Sequence, residues 1–220
     1  MGVKISASIL NADLANLEHA LRRAEAAGAD MIHIDVMDGV FTESITFGDY
    51  MVKSLRPHTV LPLDTHLMVS EPTKLIPFFV SAGSDIITIH EESSGDIFKC
   101  LELIRSLGVK AGISVNPETD VRKIFPYLSL CDLVLIMSVK PGAGGQAFKA
   151  ESLLKINAVR KEADRLSVPI DISVDGGISD STAPLIFSAG ANVAVVGTYL
   201  LNSADMKKAA ETIRNAGTQG

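Results

Sequence analysis

Eight short apolar runs, each followed by a segment of helical periodicity, constrain this chain more than any other feature. The runs are KISASI (4–9), MIHIDV (31–36), PLDTHLM (62–68), IITIH (86–90), KAGISV (110–115), LVLIM (133–137), IDISV (170–174) and VAVV (193–196). The amphipathic stretches cover 14–27, 50–56, 73–82, 96–107, 121–127, 151–166, 182–188 and 204–216. Apolar strands alternating with helices are the pattern of a parallel sheet covered on both faces. Eight such units predict an α/β fold, a single (β/α)₈ barrel domain over residues 1–220 with a parallel eight-stranded core. A doubly wound open sheet alternates in the same way but usually with fewer strands. An internal echo supports the count: AAGADMIHID, SAGSDIITIH and SAGANVAVVG each read as helix end, glycine, apolar strand. Gly28, Gly83 and Gly190 fit the left-handed residue that closes a helix.

Composition narrows the class. The chain has 220 residues, of which 47% are hydrophobic, enough for one sizeable core. A net charge of −6, with basic residues scattered, argues against nucleic acid as a partner. No run approaches the roughly 20 apolar residues of a membrane span, and MGVKISASILNADL has no signal-like apolar core. Cys100 and Cys131 match no metal spacing and read as free thiols in a reducing compartment. A cytoplasmic protein is therefore expected.

Three segments carry the chemistry: HIDVMDG (33–39), DTHLMV (64–69) and SVDGGI (173–178). Strand side chains alternate faces, so His33 and Asp35 point the same way, as do His66 and Met68. Two imidazoles and two carboxylates, His33, Asp35, His66 and Asp175, lie near the ends of three strands. Such groups are costly to bury unless they converge on one ion at the barrel mouth. Nitrogen and carboxylate ligands suit Zn²⁺, and also Mn²⁺, Fe²⁺ or Co²⁺. A lone histidine on an apolar strand is ordinarily a hydrogen-bonded core residue, so spacing alone leaves both readings open. Asp38 and Asp64 read as capping or loop hydrogen-bonding residues.

Glycines mark the loops after three late strands. Pro141-Gly142-Ala143-Gly144-Gly145 follows the sixth, Gly176-Gly177 the seventh and Gly197-Thr198 the eighth. Bare glycines let backbone N–H groups approach a phosphate, and barrels often hold phosphates after strands seven and eight. Gly177 and Gly197 are accordingly expected to reject a side chain, which would block the anion. Met37, Met68 and Met137 sit at strand ends, either as core or as a soft lining over a reacting carbon.

Taken together, SASILNADL, HIDVMDG, ITFG, LDTHLMV, IMSVKPGAGGQAF and VDGGI resemble the ribulose-phosphate 3-epimerase family over nearly the whole chain. The resemblance implies one divalent metal per chain, commonly zinc, on His33, Asp35, His66 and Asp175. It places Ser8 and His66 near the sugar. Gly142, Ala143, Gly144, Gly145, Gly176, Gly177, Gly197 and Thr198 fall on the phosphate side. It implies epimerisation at C3 of a ketose phosphate, D-ribulose 5-phosphate to D-xylulose 5-phosphate. Asp35 and Asp175 would carry the proton on opposite faces, through an enediolate. Relatives assemble, so a homo-oligomer is implied.

The departures lie in the loops. Glu43-Ser44 stands where the family usually has Pro-Asn, Ala143 where it has Phe, and Val40 where a polar or basic residue is common. These changes leave D-allulose 6-phosphate as an alternative substrate. A related decarboxylase class carries Asp-x-Lys-x-x-Asp, but Met37 stands where that lysine would be. A sugar-phosphate-binding paralogue without turnover would not need two opposed carboxylates.

Overall fold

All eight apolar runs form strands: β1 Lys4–Ser8, β2 Met31–Met37, β3 Leu63–Met68, β4 Ile86–His90, β5 Lys110–Val115, β6 Leu133–Met137, β7 Asp171–Asp175 and β8 Val193–Val196. Each pairs in parallel with the next, and β8 pairs with β1, so the sheet closes into a barrel. The structure is a computed structural model that describes residues 2–217. Helices α1 Leu17–Ala26, α2 Asp49–Leu55, α3 Pro72–Ala82, α4 Ile97–Ser106, α5 Ser152–Leu166, α6 Ala183–Ser188, α7 Thr198–Leu201 and α8 Met206–Ala216 complete the (β/α)₈ architecture. Gly28, Gly83 and Gly190 all have positive φ, as the helix-closing reading requires.

Three local differences from the sequence reading have physical causes. The segment expected as a helix from Leu14 begins with a 3₁₀ turn, Leu14–Asn16, capped by the Asp13 side chain, which accepts from the Ala15 N–H, before α1 starts. Val121–Leu130 is a 3₁₀ helix rather than an α-helix. Pro126 lies inside it and cannot donate the i→i−4 hydrogen bond of an α-turn. The four-residue α7 escapes periodicity because it is too short to show any.

Strand alternation divides the core. On β2, Ile32, Ile34 and Val36 join the large apolar layer between barrel and helices. Their neighbours His33, Asp35 and Met37 are also buried but belong to the other face, inside the barrel. The barrel interior is unlike on its two sides. Leu133, Leu135, Met137 and Val195 form an apolar wall from β6 and β8. Ser6, His33, Asp64, His66, Thr88, His90 and Ser114 are buried polar residues from β1 to β5. Both cysteines are buried and unpaired. Among the described residues no helix is long and apolar enough to cross a membrane.

Candidate active site

Parallel register brings the chemical residues together. His33 stands opposite Asp64, Asp35 opposite His66, and Met37 opposite Met68. Ser8 pairs with His33, and Met137 with Asp175. Ligand-type atoms of His33, Asp35, His66 and Asp175 all lie within 4.8 Å of one another. His33 Nε2 and His66 Nδ1 are each 3.3 Å from Asp35 Oδ1. The Ser8 hydroxyl donates to Asp35 Oδ2 at 2.9 Å.

The charges at this cluster are unbalanced in favour of a cation. Burial works against the Asp35 charge, but His33 and His66 hold its carboxyl far below the usual range. Burial first, and the Asp35 charge second, push the Asp175 carboxyl up to about 7. Burial also disfavours charged His33, yet Asp35 and Asp64 raise it well above an ordinary histidine. Burial lowers His66 to about 4. The cluster thus gathers protons where a metal ion would supply positive charge. His33 Nδ1 is 2.7 Å from Asp64 Oδ2, while its buried Nε2 has no hydrogen-bond partner. An orphaned imidazole nitrogen between two carboxylates fits a ligand atom. Two nitrogens and two carboxylates on one centre are a donor set for a divalent cation.

A pH prediction follows for the protein held in chelator. A carboxyl with a raised folded pKa gives stability that is full below its unfolded value and lost as pH rises through the folded one. For Asp175 the loss runs from 3.8 to about 7. Asp175→Asn keeps the neutral shape, so at pH 8 it is expected to melt above the parent, with the gap closing near pH 4. Thermal melts at the two pH values check this. An equal or lower Tm for the variant at pH 8 would contradict it.

A second tier of polar residues supports the cluster, and the sequence reading missed most of it. Asp64 is not a capping or loop residue: it is buried inside the barrel, facing His33 and accepting from the Ser6 hydroxyl at 2.9 Å. Its i, i+2 spacing from His66 was the available signal, since both must share a strand face. His90, at the end of β4, lies with Nε2 2.8 Å from His66 Nε2 and Nδ1 3.0 Å from Glu92 Oε2. It ends an apolar run, as other site residues do. Burial raises Glu92, but His90, Thr119 and the Asn116 N–H together hold it at about 2. Asp38 does play the loop role expected, accepting from the N–H groups of Val40, Phe41 and Ser70.

Above the cluster opens a cleft. Ser8, Gly142, Ala143, Gly144, Gly145, Gly176, Gly177, Gly197 and Thr198 all line it, as do Met37, Met68 and Met137, with Asp35 and Asp175 at its floor. Asn11, unremarked in the sequence, also lines it and donates to the Thr198 hydroxyl at 2.9 Å. The family model described as the ribulose-phosphate 3 epimerase family matches residues 4–201. The chain belongs to this family.

Family relatives agree over almost their full length. The ribulose-phosphate 3-epimerase of Bacillus subtilis (strain 168) is 45% identical over 215 residues, covering 97% of this chain and 99% of the relative. That of Escherichia coli (strain K12) is 39% identical over 212 residues, covering 96% and 94%. Membership makes the protein an isomerase of the epimerase type. Among solved structures, 3-keto-L-gulonate-6-phosphate decarboxylase from Vibrio cholerae superposes with a TM-score of 0.73 at 16% identity, covering 100% of this chain and 99% of that one. At that identity the likeness is one of fold.

Two loops of this epimerase meet beside the cleft. Ser44 Oγ donates to the Gly142 carbonyl at 3.0 Å, which ties the loop after β2 to the glycine loop after β6. Glu43 and Ala143 are both exposed. The glycines differ from the sequence expectation. Gly177 has φ +63°, and an added Cβ would strike the Phe148 backbone, so packing alone already bars a side chain there. At Gly197 the nearest atom to an added Cβ is Ser8 Cβ at 3.5 Å, an ordinary contact.

Proposed function

We propose that the protein interconverts D-ribulose 5-phosphate and D-xylulose 5-phosphate by moving one proton at C3, with a divalent cation, zinc by choice of ligands, at His33, Asp35, His66 and Asp175. The observation that carries this reading is the pair Asp35 and Asp175. They lie in one ligand cluster, one held ionised and the other raised toward neutrality. Environments that push two carboxyls apart define a base and an acid. Asp35 removes the C3 proton from one face, and Asp175 delivers a proton to the other, with roles exchanged in reverse. Ser8, bonded to Asp35, holds that carboxylate in its aim. When bound, the cation acts as a Lewis acid for charge developing on the substrate oxygens. Met37, Met68 and Met137 line the cleft with apolar atoms and exclude water from the reacting carbon.

The phosphate is assigned to the backbone N–H groups of the loops at Gly144, Gly177 and Gly197. Gly197→Ala is expected to raise KM for the phosphorylated ketose while leaving Tm within about 2 °C of the parent. Gly177→Ala should instead lower Tm by about 5 °C or more, through its clash and strained φ. Paired melts and kinetics check both. A Gly197→Ala enzyme with unchanged KM argues against the phosphate placement.

The deciding assay follows C3 proton exchange with solvent and product formation on ribulose 5-phosphate and allulose 6-phosphate, with metal content measured in parallel. Absence of exchange on either sugar rejects the epimerase reading. Ala143, exposed on the cleft, leaves more room than the Phe usual in the family. The combined change Glu43→Pro, Ser44→Asn and Ala143→Phe is therefore expected to raise the kcat/KM preference for the five-carbon over the six-carbon substrate. An unchanged ratio would show that these loops do not set specificity. The buried free thiols support a reducing, cytoplasmic setting. Val40, Ile45 and Tyr50, all largely exposed, support self-association into a homo-oligomer, which light scattering tests.

A further inference from the structure

We propose that His90 and Glu92 are positioning residues that fix His66 as the tautomer protonated at Nε2, so that its Nδ1 lone pair is presented to the cation site. The proposal rests on reading His33, Asp35, His66 and Asp175 as that site. It follows from counting protons along one chain of contacts. Glu92 accepts the Asn116 N–H through Oε1 at 2.8 Å and faces His90 Nδ1 through Oε2 at 3.0 Å. A carboxylate has no proton to give, so His90 Nδ1 donates to it. Neutral His90 then carries a lone pair on Nε2. That nitrogen lies 2.8 Å from His66 Nε2, a distance that requires one proton between them. The proton therefore belongs to His66 Nε2. His66 Nδ1 is left bare, 3.3 Å from Asp35 Oδ1. A lone pair aimed at a carboxylate oxygen is unfavourable alone and favourable when a cation is shared between them.

The other polar neighbour of His66 is Asp35 Oδ1, 3.3 Å from Nδ1. With His90 Nδ1 donating to Glu92, it would take a proton from His66 Nδ1 only if His90, fully buried, carried protons on both nitrogens. His66 and His90 are both fully buried and stacked, with centroids 4.9 Å apart. The Phe41 ring packs against His90 in a tilted arrangement, with centroids 4.7 Å apart. His33 is held by the same logic with one link fewer, through Asp64 directly.

Glu92→Gln tests the relay because its amide cannot satisfy both neighbours as an acceptor. With its oxygen on the Asn116 N–H, its NH₂ faces His90 and donates to Nδ1. His90 then carries its proton on Nε2 and donates to His66, whose own proton moves to Nδ1. Zn²⁺ affinity, measured by competition with a chromogenic chelator, is expected to fall by about 10–100-fold. Turnover should recover to near the parental kcat at saturating Zn²⁺, which a general packing defect would not allow. Nitrogen NMR of histidine-labelled wild-type protein reads the tautomer directly, in both metal-free and zinc-loaded forms, and does not depend on the variant folding. The expected signature is a proton on His66 Nε2. A proton on His66 Nδ1 in the metal-free wild type overturns the relay, as does a Glu92→Gln protein with parental Zn²⁺ affinity and spectrum. If the wild type binds no divalent cation, the cation site itself fails and the proposal with it.

Discussion

Asp35→Asn and Asp175→Asn are each expected to lower kcat for epimerisation by about 10³-fold or more, because general acid–base groups typically contribute 10²–10⁴-fold and neither amide can carry the proton. Both residues also belong to the ligand cluster, so each variant must be assayed at saturating metal with occupancy measured. Solvent exchange makes the result specific. In D₂O, an enzyme with one carboxylate left can still remove and return a proton on its own face. Asp175→Asn should therefore wash deuterium into C3 of one epimer without forming the other, and Asp35→Asn should do the same for the opposite epimer. The two variants must differ in which sugar they label. If either retains metal and near-normal turnover, or both label the same epimer, the two-carboxylate mechanism is wrong.

Removing the cation is expected to abolish turnover altogether, and one equivalent of Zn²⁺ per chain should restore it. The reason lies in the electrostatics of the bare cluster. Without a cation Asp175 holds its proton up to about 7, and His33 is drawn toward its charged form by Asp35 and Asp64. The same linkage predicts that Zn²⁺ raises Tm, since an ion that binds only the folded cluster stabilises the fold by mass action. A chelated protein, shown free of stoichiometric metal, that still epimerises at the parental rate rejects the cation reading.

The architecture was legible because apolar runs and strand boundaries coincide wherever a run is bounded by polar residues. IITIH, KAGISV, LVLIM and VAVV became strands with those same limits. The run read as 170–174 slid to Asp171–Asp175, because the last strand residue is itself charged. His33 and Asp35 were legible through alternation on one strand, and His66 and Asp175 through their places near the ends of two other apolar runs and the family resemblance. Their support was not, because the partner across a barrel is a matter of register. Nothing local says that Asp64 will stand opposite His33, or that β4 will lay His90 against His66. The room at Gly197 and the lack of it at Gly177 depend on Ser8 and Phe148, residues distant along the chain.

Every residue of the ligand cluster, and His90 behind it, hangs on a strand, whereas the glycines and the residues that depart from the family pattern sit on loops. The division has an evolutionary consequence. Strands are locked by hydrogen bonds to two neighbours, so a substitution there is felt around the ring, while loops at the carboxyl ends of barrel strands change length and residue with little effect on the frame. Selection can therefore act on what is recognised without disturbing how it is transformed. If these loops set sugar recognition as proposed, lineages that alter Glu43, Ser44 or Ala143 would explore new sugars with the strand-borne cluster inherited intact, and an engineer seeking a new ketose phosphate would build libraries in those loops and leave the eight strands alone.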